Sequence, residues 1–127
     1  MSRFDDLNEE FEDVSHEEAD DTGRVGRKVQ AFEVSVDTGC TTNRGPTYPF
    51  WGLTGECGEV VEHVKKAWRK HDKDWFENVD HEKLKDELGD VLWYVTRCAQ
   101  VMGVSLTDIM DINMKKLEAR RAAKNGD

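Results

Sequence analysis

Four carboxylates stand in two pairs of identical spacing: Glu56 with Glu59, and Glu87 with Asp90. Residues three apart on a helix share a face. Like charges placed so repel unless something positive lies between them. Oxygen-only ligands crowded together suit a hard divalent cation, Mg²⁺ or Mn²⁺. Mg²⁺ in particular keeps waters and binds substrate phosphates. The simpler alternative is that each pair is a solvated acidic face, and either pair alone would be read that way.

The elements that must carry these acids are helical. Cys57, Val60, Val61, Val64, Ala67 and Trp68 mark a helix over about 53–70, and Leu84, Leu88, Val91, Leu92, Val95, Cys98, Ala99 and Met102 mark another to about Met102. Each residue advances about 100° around a helix, so both acid pairs lie roughly 80° and 140° to the same side of their apolar stripes. Packed stripe to stripe and antiparallel, two such helices bring both pairs to one edge of the groove. Packed parallel, they would separate them. Gly55, Gly58 and Gly89 flank the acids. Interior glycine is tolerated where a neighbour or ligand must come close.

Two further helices complete an all-α reading. Val25, Val29, Phe32 and Val36 predict one over 23–37, followed by a Gly/Pro loop ending in Tyr48, Phe50 and Trp51. Residues 71–80 read as polar and irregular, with Asp80 as N-cap of the helix carrying Glu87. Gly103 ends that helix, and Ser105 with Asp108 opens the last one as a capping box, running to about Ala123. Asn113 falls within the last helix's apolar stripe (Leu106, Ile109, Met110, Leu117), with Lys116 and Arg120 on its face. A structural asparagine flanked by two bases is the plain reading, and phosphate contact the functional one.

Other residues fall in the acids' sector. His63, Lys66 and Lys70 do so on the first acid helix. Lys66 is the phosphate candidate there, and His63 a possible base or an ordinary exposed histidine. Tyr94 and Arg97 share the sector of Glu87 and Asp90. Trp51 is placed to stack on a base or to pack over helix ends. Trp93 points away and reads as an oligomer contact.

Composition bounds the rest. The 127 residues suit one domain, and 35% are charged, which implies a thin core. The formal charge of −9 sits entirely in residues 1–22, an acidic tail expected to be disordered, with the helical domain at 23–127. Residues 23–127 are charge-neutral and free to bind a small polyanion, whereas no basic face suits nucleic acid. No apolar run is long enough for a membrane span, and the acidic N-terminus is no signal peptide. Cys40, Cys57 and Cys98 show no zinc spacing, and the last two read as small buried hydrophobes in a reducing cytoplasm.

The blocks Gly52-Leu-Thr-Gly-Glu-Cys-Gly-Glu59, Val64-Lys-Lys66, Glu87-Leu-Gly-Asp90-Val-Leu-Trp-Tyr94 and Asn113-Met-Lys-Lys116-Leu-Glu-Ala-Arg120 resemble, in order, the MazG-like nucleotide pyrophosphohydrolases. The resemblance covers about residues 25–121 and implies a four-helix-bundle-like protomer assembling into a homodimer or homotetramer. It implies cleavage of an NTP or dNTP to monophosphate and pyrophosphate, with Mg²⁺ held by Glu56, Glu59, Glu87 and Asp90. Glu59 is the expected base. Lys66, Asn113, Lys116, Arg120, Tyr94 and Trp51 are the expected substrate contacts. A related activity, such as phosphoribosyl-ATP pyrophosphohydrolysis, or a non-catalytic helical interaction module are the alternatives.

Overall fold

The computed structural model describes residues 23–40 and 44–126; the acidic segment 1–22 lies outside them. Among the described residues there are four long helices, α1 (Arg24–Gly39), α2 (Tyr48–His71), α4 (His81–Val101) and α5 (Leu106–Lys124), with the single-turn helix α3 (Trp75–Asn78) between α2 and α4. No strand occurs among the described residues, so the all-α expectation holds. By internal contacts the chain divides into two units, residues 1–35 and 36–127. The described part of the first is the initial stretch of α1, where Arg24, Arg27 and Lys28 line a shallow surface cavity with Val25. Everything below concerns the second unit.

Helix boundaries follow local chemistry. α2 begins five residues earlier than the apolar periodicity predicts, because Pro49 sits in its first turn and is buried there. A first-turn N–H needs no intrahelical acceptor, so proline stabilises a helix start that a Gly/Pro-rich stretch otherwise disguises as loop. The helix ends where Asp72 turns to φ 53° and its N–H reaches back to the Trp68 carbonyl. The segment expected to be irregular instead forms a 3₁₀ turn (Asp72–Asp74) and α3. Asp80 caps α4 as expected, accepting from the Lys83 N–H at 3.1 Å. Gly103, at φ 74°, lets the chain leave α4. Ser105 and Asp108 form a reciprocal capping box at α5, with bonds of 3.0 and 2.9 Å. These bonds to Ser105 hold the Asp108 carboxyl below its ordinary range.

Packing is dominated by α2 against α4, with α3 covering the far end of α2. Among the described residues the buried set is small: Val36, Pro49, Ala67, Val79, Thr96, Cys98, Ala99 and Leu106. Thr96, fully buried, satisfies its hydroxyl by donating to the Leu92 carbonyl at 2.7 Å. Much of both predicted stripes stays open, since Val61 is 61% exposed and Leu88 53%. Cys57, expected to be buried, is exposed for the same reason, whereas Cys98 is buried as expected. In α5 only Leu106 and Ile109 are covered, and the described residues from Met110 onward are exposed. Asn113, expected in a buried stripe, is therefore exposed together with Ile112, Met114 and Leu117. No described helix is long and apolar enough to cross a membrane.

Candidate metal centre

The direction of packing can be read from which residues meet. Gly52 lies under the ring of Tyr94, Glu56 faces Asp90, and His63 reaches Glu87. Numbers rise on α2 as they fall on α4, so the helices are antiparallel. The two acid pairs consequently share one edge of the groove, as the angular argument requires.

The gathering has a finer form than a single four-carboxylate cluster. Oxygens of Glu56, Glu87 and Asp90 lie within 4.8 Å of one another, and so do donor atoms of Glu59, His63 and Glu87. Glu87 belongs to both groups. His63 Nε2 lies 3.5 Å from Glu87 Oε1, with the two side chains 23% and 19% exposed. Glu59 is exposed at the outer edge.

Electrostatics record the crowding. The Glu56 carboxyl is pushed above the ordinary glutamate value, first by loss of water around it and then by Asp90, Glu87 and Glu59. Its neutral form is also stabilised by a hydrogen bond to Glu87. Asp90 is raised too, by burial and then by Asp86 and Glu87. Among these acids His63 is the one neighbouring cation candidate that the described contacts place against a carboxylate. Three carboxylates gathered within 4.8 Å of one another, two of them, Glu56 and Asp90, held above their ordinary values, form a donor set suited to a hard divalent cation.

Beside the acids lies a cavity of about 560 Å³, lined in part by Arg44, Tyr48, Trp93, Tyr94, Arg97 and Val101. Tyr94 joins it to the acids. Burial pushes its hydroxyl above the usual phenol range; Tyr48, Glu56 and Asp90 add to this, and it hydrogen-bonds Tyr48. Arg44 in turn donates to the Tyr48 hydroxyl at 3.1 Å and sits 4.8 Å from that ring's centre. Arg97 is anchored by Asp37 at 3.1 Å and Gln100 at 3.0 Å, while its buried Nε has no hydrogen-bond partner.

Several expectations change here. Trp93 does not stand apart from this groove: its ring meets Tyr94 edge-on at 5.0 Å and lines the cavity. A Cβ added at Gly55, Gly58 or Gly89 would meet open space, so the chain itself makes no close approach at these glycines. The close approach is at Gly52, where a Cβ would fall inside the Tyr94 ring. Lys66 and Trp51 are exposed on α2, and Asn113, Lys116 and Arg120 are exposed on α5. Arg44 and Tyr48 were missed because they lie in or beside the loop. The signal was present in Arg44 placed four residues before an aromatic at a proline-marked helix start.

The described residues are thus all-α, with carboxylates of two helices brought together across an antiparallel pair. Residues 50–123 match the MazG nucleotide pyrophosphohydrolase domain, and the chain belongs to that family. It is also similar to the Gene 37 protein of Mycobacterium phage L5, 39% identical over 98 residues that cover 74% of this chain and 84% of the phage protein. No solved structure matches it.

Proposed function

We propose that this protein hydrolyses a nucleoside or deoxynucleoside triphosphate to the monophosphate and pyrophosphate, as a nucleotide-pool house-cleaning enzyme. The observation that carries this reading is the meeting of Glu56, Glu87 and Asp90 across the antiparallel α2–α4 pair. These acids would hold a divalent ion, Mg²⁺ or Mn²⁺, which when bound neutralises charge developing on the phosphate oxygens. Glu59, exposed at the mouth, would accept the proton of an attacking water through a carboxylate oxygen left free of any cation. Tyr94 and the arginine-bearing cavity beside it would take the nucleoside, by stacking and by hydrogen bonds to base or sugar. Trp51 is exposed one residue before Gly52 and would close over the same end.

Phosphate contact requires cations. Lys66, exposed on α2, would serve from there. Asn113, Lys116 and Arg120 stand on an exposed helix whose apolar residues Ile112 and Met114 also lack cover in one chain. A second copy would cover these faces together with Val61, Leu88 and Leu92, which makes a homodimer or homotetramer the working form. Sedimentation at micromolar concentration should give a multiple of the 14.6 kDa protomer. Replacing both Leu92 and Ile112 with Asp should return it to one protomer. A monomeric wild type would remove this part of the proposal.

The activity itself is tested by incubating the protein with each NTP and dNTP in the presence of Mg²⁺ and assaying products. Monophosphate and pyrophosphate in equal amounts are expected from at least one substrate. Orthophosphate alone, or no turnover across the panel, overturns the reading.

A further inference from the structure

The second donor group contains something the acid motif does not supply. Glu59 and His63 are four residues apart on α2, so they share a face about 6 Å apart along the axis. Glu87 enters from α4 to meet them. We infer that His63 is a metal ligand, and that Glu59, His63 and Glu87 form a second cation position beside the Glu56–Glu87–Asp90 position, with Glu87 bridging the two. The mixed nitrogen and oxygen donors suit a borderline ion such as Mn²⁺ or Co²⁺ better than Mg²⁺. This rests on the reading above, that the acids hold a divalent ion.

The geometry carries the inference some way. Two donors each ~2.1 Å from one ion and at right angles lie roughly 3 Å apart. His63 Nε2 and Glu87 Oε1 are 3.5 Å apart, and all three donors lie within 4.8 Å. Small side-chain rotations therefore suffice, with no backbone movement. His63 and Glu87 are both mostly covered, so their rotamers are restricted before any ion arrives. A carboxylate has two oxygens, so Glu87 could serve both positions, and cations held there would supply neutralisation of the charge on phosphate oxygens. Imidazole is a common ligand of transition ions, whereas Mg²⁺ strongly favours oxygen. The competing description is that His63 only hydrogen-bonds Glu87 and orients it.

The two descriptions differ in what a bound ion touches. Pulsed electron paramagnetic resonance on the full chain loaded with Mn²⁺ reads nitrogen ligands directly. We expect nitrogen modulation in the wild type, its isotope change when histidine is labelled with ¹⁵N, and its loss in His63→Gln. Titration with Mn²⁺ should give two ions per chain in the wild type, with one of the two weakened about 10–100-fold in His63→Gln. Glu56→Gln should weaken the other and keep the nitrogen signal. Mn²⁺ bound through oxygen alone, or a signal that survives His63→Gln, overturns the assignment and leaves the proposed function standing. No bound Mn²⁺ under any condition overturns the metal reading itself.

Discussion

Glu56→Gln and Asp90→Asn should each lower turnover by roughly 10³-fold or more while raising the melting temperature of the metal-free protein. The first half follows from charge: a divalent ion at developing phosphate charge contributes several kcal/mol to the transition state, and about 4 kcal/mol corresponds to 10³ in rate. The second half follows from repulsion. Glu56 in the folded chain sits above its ordinary value of 4.5 because of desolvation and three acidic neighbours. The native state therefore holds its proton more tightly than the unfolded chain does, and stability falls as pH rises through that window. Below the ordinary value both states are protonated and Glu56 contributes no strain. Above the raised value its ionised form destabilises the fold in full. Glutamine cannot ionise, so the advantage of Glu56→Gln should be absent in acid and grow towards neutral pH. It should amount to about 2–4 °C at most, because the site is partly exposed to water and screened. Mg²⁺ should reverse the order: the wild type gains stability by binding, and the variant gains far less. Scanning calorimetry in chelator and in Mg²⁺, across this pH range, reads all of it. A wild-type melting temperature unmoved by Mg²⁺ would sink the metal reading.

The acid edge was legible in the sequence because it depends on rotation alone. Equal angular offsets from two apolar stripes place both pairs on one side of the groove whenever the helices run antiparallel, as α2 and α4 do. Rotation says nothing about axial offset between two helices. That is why Glu87 could not be foreseen as the residue common to both donor groups, nor His63 as its 3.5 Å neighbour. Caps were equally legible, since Asp80 and Ser105 act through bonds to residues three positions on. The stripe containing Asn113 misled for a different reason. Periodicity shows that a face is apolar, and not which chain covers it; the described residues of α5 from Met110 onward are exposed. Cys57, Val61 and Leu88 share that ambiguity. The cavity was the least legible feature, because Arg44 and Tyr48 come from a loop and helix start whose composition signals only irregularity, and Tyr94 and Arg97 reach the same space from α4.

Gly52 is where backbone, cavity and acids depend on one another, and Gly52→Ala is expected to lower both stability and substrate affinity. On helix propensity alone the change should stabilise by up to about 1 kcal/mol. A Cβ there, however, would occupy the Tyr94 ring. That ring is held by the Trp93 edge contact and by its hydrogen bond to Tyr48, so it cannot step aside without losing both. Overpacking of this kind costs about 1–3 kcal/mol, which exceeds the propensity gain. A net loss near 1 kcal/mol, or several degrees in melting temperature, is expected. The displaced ring would also deform the cavity wall next to Asp90, so KM should rise about tenfold with a smaller change in kcat, as loss of uniform binding does. The sign of the stability effect can be made to depend on the ring alone. In a Tyr94→Ala background the clash is gone, and Gly52→Ala should then stabilise. If Gly52→Ala destabilises equally with and without the Tyr94 ring, close approach is not what holds glycine at this position, and some contact made by a second copy must be sought there.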